Sequence, residues 1–163
     1  MKNIFTTSIR AILAILCCTF IAVTPAQAQD YGPNVTLEQA RVVIAAAEQE
    51  AIRQNFNVAI AVVDTAGNLV AFVKRDNTQT ASVLVAQDKA VTAAIYKRPS
   101  KALQDGLAGG GAGLRILGLR GATPVEGGLP LMVDGRIIGA VGVSGVTSEQ
   151  DSMVATAGAA ALQ

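Results

Sequence analysis

Histidine is absent from all 163 residues of the chain. Its absence removes the commonest general base and transition-metal ligand, and it excludes a Ser-His-Asp triad and any zinc site that uses imidazole. The only cysteines, Cys17 and Cys18, lie near the N-terminus, so the rest of the chain has neither a thiolate metal site nor a disulfide. Tryptophan is missing and aromatic residues make up 4% of the sequence, so the core must consist of small and aliphatic side chains.

Charged residues are also scarce. The formal net charge of +1 gives no reason to expect a nucleic acid or an anionic membrane surface as a partner. Only 15% of the residues are charged, whereas 51% are hydrophobic and 16 are glycine. Such a composition is typical of proteins that hide surface in an assembly, so we expect a homo-oligomer.

Residues 1–28 have the pattern of a secretory signal peptide. Two basic residues precede an apolar run over residues 11–23, and a small-residue Ala-Gln-Ala site follows at 26–28. The alternative is a membrane anchor, but the run is shorter than the roughly 20 apolar residues that a transmembrane helix needs. We therefore expect cleavage after this site, no stable membrane anchor, a periplasmic or secreted product, and one domain over residues 29–163.

Two helices are predicted from capping boxes. Thr36 and Gln39 begin the first helix, which we expect to end near Asn55, and Thr147 and Gln150 begin the last. A spacing of three and four residues between apolar positions then predicts which faces are buried. These faces are Leu37, Ala40, Ile44, Ala47 and Ala51 in the first helix, and Met153, Val154, Ala157, Ala160 and Ala161 in the last.

The middle of the chain is also helical in pattern. Residues 80–98 predict a helix that Pro99 stops, and Ser100 is expected to cap a shorter helix after it. The glycines over 109–113 resemble a phosphate loop but lack the following Lys-Ser/Thr, so a plain flexible loop is favoured. Residues 114–119 fit either a helical turn or a poor strand. The expected buried face of the longer helix is Val83, Ala86, Ala90, Ala93 and Ala94.

Two hairpins are predicted. Residues 58–63 and 69–73 form the first, around a glycine-containing turn. Residues 131–133 and 137–143 form the second, around Asp134-Gly135, a preferred type I′ turn.

Strands joined by such tight turns pair antiparallel. The sequence therefore predicts an α+β fold, with an antiparallel sheet of four or five strands flanked by helices. Gly139 and Gly142 lie inside the last predicted strand, where glycine indicates a bulge or a close approach of another backbone.

Arg75 and Lys89 are candidate ligand-binding cations. Arg75 lies at the end of a predicted strand, and Lys89 lies among alanines on a predicted helix. A cation on a small apolar helix face can bind a ligand carboxylate. The alternative is that Asp88 and Lys89 form a solvated stripe.

The segment Glu126-Gly127-Gly128 precedes the second hairpin and is a further candidate. Paired glycines allow a ligand to approach the backbone and can leave amides free to bind an anion. Glu126 would be a catalytic base if burial raised its pKa. The alternative is a simple loop that enters a strand, and Asp151 is explained by its favourable position in the first turn of a helix.

The remaining side chains that can ligate haem iron are tyrosines and methionines. We retain Tyr96 and Met132 as candidate haem ligands and predict no other metal site; Met132 and Met153 are alternatively core side chains.

Several spaced blocks of the sequence follow a known family pattern, namely residues 62–64, 67–72, 88–94, 127–131, 139–145 and 149–151. On these blocks the chain resembles the GlcG/HbpS family of haem-binding-like proteins, which includes the C-terminal domain of PduO-type proteins. The resemblance spans about residues 36–162. It implies a profilin-like or PAS-like sheet, assembly into higher oligomers and, in some members, secretion and the binding of haem or iron.

Three functions follow from this resemblance and from the candidate residues. The first is an exported, oligomeric protein that binds a small ligand, namely haem, a haem-derived compound or iron. The second is an enzyme that acts on a small carboxylate or carbonyl compound, in which Arg75 and Lys89 orient the acid group and Glu126 moves a proton. The third is a non-catalytic accessory protein. The sequence leaves open whether the protein is an enzyme.

Overall fold

The structure is a computed structural model that describes residues 29–163, and the predicted signal peptide lies outside the described residues. Within this range every helix is too short or too polar to span a bilayer. The elements are α1 (Leu37–Arg53), β1 (Ala59–Asp64), β2 (Leu69–Lys74), α2 (Ser82–Ile95), α3 (Ser100–Ala108), a 3₁₀ helix (Gly111–Gly118), β3 (Gly128–Val133), β4 (Arg136–Ser144) and α4 (Ser148–Ala160).

The four strands form one sheet in the order β2-β1-β4-β3, and all neighbours are antiparallel. Two tight turns account for the hairpins β1–β2 and β3–β4. Asp134 and Gly135 have φ angles of 49° and 72°, as the predicted type I′ turn requires, and Gly67 has a φ of 88°. The α+β prediction is confirmed, with four strands.

Helices cover both faces of the sheet. On one face α2 packs its predicted alanines against small side chains of the central strands, such as Ala61 and Ala140. On the other face α1 and α4 pack against Ile60, Val62 and Val141. Because β1 and β4 are buried on both sides, they carry apolar residues at nearly every position.

Close packing explains the strand glycines. A Cβ atom at Gly142 would collide with the backbone carbonyl of Ala86 in α2, and one at Gly139 would collide with the carbonyl of Val63 in the neighbouring strand. The predicted close approach of another backbone is confirmed. The glycine at 142 lets α2 lie directly on β4.

Two of the predicted buried faces are partly wrong. Leu37 and Met153, which the apolar spacing assigns to buried faces, are each 48% exposed. Helix α1 buries Val43 instead, and α4 buries Asp151, Val154, Ala155 and Gly158. The capping boxes themselves are confirmed at Thr36 and Thr147. The start of each helix is encoded locally, whereas its rotation depends on the surface against which it packs.

The middle region also differs from expectation. Helix α2 covers 82–95 rather than 80–98. Of the two alternatives for residues 114–119, the helical turn is correct and the strand is wrong, because most of the segment lies in the 3₁₀ helix. Ser100 is not the N-cap of α3; it is the first residue of the helix, and its hydroxyl donates to the carbonyl of Val125 at 2.7 Å. The serine connects α3 to the loop before β3 instead of capping its own helix.

Candidate functional site

Lys89 and Asp151 form a buried ion pair. The Lys89 side chain points from α2 to the first turn of α4, where its Nζ lies 2.7 Å from Oδ2 of Asp151. The same ammonium donates to the carbonyl of Val143 at 3.0 Å, and the amide of Val146 donates to Oδ1 of Asp151 at 3.2 Å. Lys89 is 1% exposed and Asp151 is 2% exposed. The pair therefore joins α2, the end of β4 and α4.

Burial raises the pKa of Asp151, and the hydrogen bond and positive charge of Lys89 oppose that rise. The solvated-stripe interpretation is wrong for Lys89, although Asp88 is exposed. Sequence reasoning explains Asp151 by the helix dipole alone and misses its main partner. The only sequence signals are a lysine among alanines and an aspartate in a first helical turn.

The paired glycines pack against this ion pair. A Cβ atom at Gly127, whose φ is 122°, would lie 2.9 Å from Nζ of Lys89, and one at Gly128 would collide with the Lys89 carbonyl. The amide of Gly128 donates to the hydroxyl of Ser100 at 2.9 Å. This amide is therefore not free to bind an anion, which corrects the expectation from the sequence. Both glycines have a packing role, and ligand contact at Gly127 and Gly128 stays a prediction.

Glu126 lines an open groove beside the ion pair. Its carboxylate is 3.8 Å from Nζ of Lys101, and its amide donates to the side chain of Gln104 at 2.8 Å. The groove has a volume of about 500 Å³ and is also lined by Glu50, Glu149, Ser152, Met153, Thr156 and Ala157. The position makes Glu126 accessible from a cleft, and its role as a base stays a prediction.

Arg75 lies elsewhere, in a polar pocket of about 380 Å³ beside the end of β2. Its nearest carboxylate belongs to Glu48, 3.8 Å from Nη1. Lys89 instead faces Asp151 and the carbonyl of Val143. The structure thus does not bring Arg75 and Lys89 to one ligand, as the carboxylate-enzyme hypothesis requires.

The two candidate haem ligands differ in availability. The hydroxyl of Tyr96 donates to the carbonyl of Arg120 at 2.7 Å. Met132 lines a groove of about 330 Å³, whose other lining residues are Gln29, Pro99, Leu129, Pro130, Thr156, Ala159, Ala160 and Gln163. This volume is within the range of small-ligand sites, about 300–1,000 Å³. The thioether of methionine can ligate haem iron, and the apolar lining of the groove suits the face of a porphyrin.

A metal site of hard or nitrogen ligands has no support in the described part of the chain. Residues 29–163 contain no group of three or more His, Cys, Asp or Glu side chains that could hold a metal ion. Haem does not need such a group, because its porphyrin supplies four ligands and the protein supplies one or two.

Comparison with known proteins gives a consistent match. The family described as "Haem degrading protein HbpS-like" matches residues 35–160. The protein GlcG of Escherichia coli strain K12 is 42% identical over 107 residues, which cover 66% of this chain and 78% of GlcG.

Solved structures agree with this match. A double mutant of HbpS from Streptomyces reticuli superposes with a TM-score of 0.75 at 29% identity, covering 87% of this chain and 99% of HbpS. A complex of PduOC with haem superposes with a TM-score of 0.72 at 26% identity, covering 80% of this chain and 96% of that one. The fold and the sequence thus point to the same group of proteins.

Proposed function

Because the chain belongs to the HbpS-like family, we propose that it binds haem or a haem-derived ligand in the groove that contains Met132. The observation that carries the proposal is this thioether in a mainly apolar groove of about 330 Å³. The solved haem complex of a structural neighbour supports the ligand class.

The residues of the groove have distinct tasks in this proposal. Pro99, Leu129 and Pro130 would contact the apolar face of the ligand, and Met132 would hold its iron through the thioether sulfur. Tyr96 is the weaker candidate, because its hydroxyl already donates to a backbone carbonyl. Bound haem would supply a redox-active iron. Among residues 29–163, no lysine or arginine lines the groove, so the ligand carboxylates would face solvent.

Haemin titration of the Met132→Leu variant tests this site. Leucine keeps the volume and apolar character of the side chain but removes the sulfur. We expect a saturable Soret shift for the wild-type protein, and a displaced Soret band with affinity about tenfold or more weaker for the variant.

Met153→Leu is the matched control, because Met153 is 48% exposed and lines the other groove. It should bind haemin like the wild-type protein. Identical spectra for the wild-type protein and Met132→Leu would contradict the binding of the iron by Met132. No saturable binding by the wild-type protein would contradict the function itself and leave the enzyme and accessory-protein alternatives.

We also propose that the protein is exported and acts as a homo-oligomer. The signal-peptide pattern over residues 1–28 supports export. Exposed apolar side chains, such as Leu84 at 67% and Leu117 at 71%, support assembly. Cell fractionation followed by N-terminal sequencing tests export, and a protein that stays in the cytoplasm with residue 1 intact would contradict it.

The enzyme alternative has less support from the geometry. Lys89 is held by Asp151, and Arg75 lies in a separate pocket. Glu126 is left as the candidate base. Glu126→Gln should abolish any turnover of a small carboxylate or carbonyl compound at unchanged melting temperature, and turnover that persists in this variant would exclude Glu126 as the base.

A further inference from the structure

The polar pocket that contains Arg75 is separate from the Met132 groove. Its volume is about 380 Å³, and every lining residue is polar or charged. Within the described range, no residue lines both this pocket and the Met132 groove. The pocket lies between α1, the approach to β1 and the turn after β2. Its lining residues are Glu48, Asn57, Lys74, Arg75, Asp76 and Asn77.

The Arg75 side chain lacks partners that its burial would normally require. It is 22% exposed, and its Nε is buried without a hydrogen-bond partner among the described residues. Its closest carboxylate oxygen, on Glu48, is 3.8 Å from Nη1, which is beyond hydrogen-bond distance. Because Nε has almost no accessible surface, a ligand in the pocket would bind the guanidinium through its Nη groups, for which Glu48 offers no acceptor at hydrogen-bond distance.

The backbone beneath Arg75 is fixed without help from its side chain. The amide of Arg75 donates to the carbonyl of Val58 at 3.0 Å, and the hydroxyl of the buried Thr78 donates to the carbonyl of Arg75 at 2.8 Å. Asn77 has a φ of 59°, which gives the turn its sharp direction. The side chain is therefore presented by a preformed turn and is available for a ligand.

The charges of the pocket balance. Lys74 and Arg75 are cationic, and Glu48 and Asp76 are anionic. A guanidinium binds a carboxylate with two parallel hydrogen bonds, while carboxylates bind an ammonium. A ligand that carries both charges close together would satisfy both sets without leaving a net charge. We propose that this pocket binds a small zwitterion of the α-amino acid type, with its carboxylate on Arg75 and its ammonium on Glu48.

Calorimetric titration of the purified protein with three small probes tests the proposal. Glycine carries both charges, acetate carries only the carboxylate, and methylammonium carries only the cation. Glycine should bind saturably and at least about tenfold more tightly than either other probe. Equal affinity for glycine and acetate would overturn the zwitterion assignment, and no saturable binding of glycine would overturn the site.

Two variants act on opposite ends of the ligand. Arg75→Met should remove the binding of glycine and acetate alike, whereas Glu48→Gln should reduce the affinity for glycine to that for acetate. Arg41→Met removes the same charge from an exposed position of α1 and should bind as the wild-type protein does. Melting temperatures show whether each variant is folded. If Arg75→Met is unfolded, the affinity of Glu48→Gln for glycine decides whether the proposal holds. Unchanged glycine binding in a folded Arg75→Met or Glu48→Gln protein would overturn the proposal.

Discussion

At the residue scale, the ion pair between Lys89 and Asp151 explains several features of the sequence together. It accounts for a lysine among the alanines of α2 and for an aspartate in the first turn of α4. It also accounts for Gly127, where any side chain would press on the Lys89 ammonium. Residues that suggested a ligand site thus have a structural purpose, because a buried charge needs a partner and space.

Replacement of Lys89 by methionine tests this interpretation. The Lys89→Met variant leaves a buried carboxylate without its counterion, and it should lose about 3–5 kcal/mol of unfolding free energy at neutral pH. In the Lys89→Met/Asp151→Asn double variant no charge remains at the site. The side-chain oxygen of the new amide can still accept the hydrogen bond from the backbone N–H of Val146. The double variant should therefore regain most of this loss in urea unfolding. A double variant as unstable as the single one would contradict the ion-pair account.

The stability loss in Lys89→Met should depend on pH. Burial raises the pKa of Asp151 in the wild-type fold, and removal of the opposing lysine raises it further. The folded variant then holds this proton more tightly than the unfolded chain does. Its unfolding free energy should rise as the pH falls through the raised pKa, towards that of the wild-type protein. A penalty that is constant between neutral and acidic pH would contradict this linkage.

Sequence distance explains which of these contacts are predictable. The capping bonds of Thr36 and Thr147 join residues three positions apart, and the sequence predicts both. The bond from Lys89 to Asp151 joins residues 62 positions apart, and no sequence pattern predicts it. Local geometry fixes the first kind, whereas the second kind exists only after two helices have packed on the same sheet.

At the element scale, the close contact between α2 and β4 constrains the residues of both elements. The helix lies so near the strand that position 142 has room only for a hydrogen atom. The backbone carbonyl of Ala86 and the Cβ atom of Ala90 face this contact. The close approach of α2 to β4 therefore requires an alanine-rich helix face. The composition predicts only that the core consists of small and aliphatic side chains.

Gly142→Ala should destabilise the fold by about 1–3 kcal/mol or more, because its Cβ atom would overlap the α2 backbone. Gly118→Ala is the matched control, since no heavy atom lies within 4 Å of a Cβ atom there, and we expect a change within about 0.5 kcal/mol. Thermal unfolding of both variants measures the difference. Equal melting temperatures would show that α2 can move away from β4 without cost.

At the scale of the whole molecule, the fold leaves two kinds of surface for partners. Strands β2 and β3 form the two edges of the sheet. The 3₁₀ helix carries Leu114 and Leu117, which are 54% and 71% exposed. Large apolar side chains grouped on one short segment are typical of interfaces. This surface supports the proposed homo-oligomer independently of the ligand sites.

Native mass spectrometry should therefore detect an assembly at micromolar concentration. Leu117→Glu should lower the subunit count, because a charge in an apolar interface is costly to desolvate. Leu37→Glu places the same charge at a 48% exposed position of α1 and should leave the assembly intact. A monomeric wild-type protein would contradict the oligomer. An unchanged count in Leu117→Glu would exclude the 3₁₀ helix from the interface.

The sequence alone determined the α+β class, both hairpins and the two capped helices, because turn chemistry, capping and apolar period act between near neighbours. The absence of histidine likewise restricts the possible chemistry, whatever the arrangement of the helices and strands. Only the tertiary structure decided that Lys89 is buried against Asp151, that Arg75 lies in a separate pocket, and that Met132 lines a groove while the Tyr96 hydroxyl donates to a backbone carbonyl. These outcomes depend on how helices rotate and pack on the sheet, and such long-range contacts leave no periodic trace in the chain.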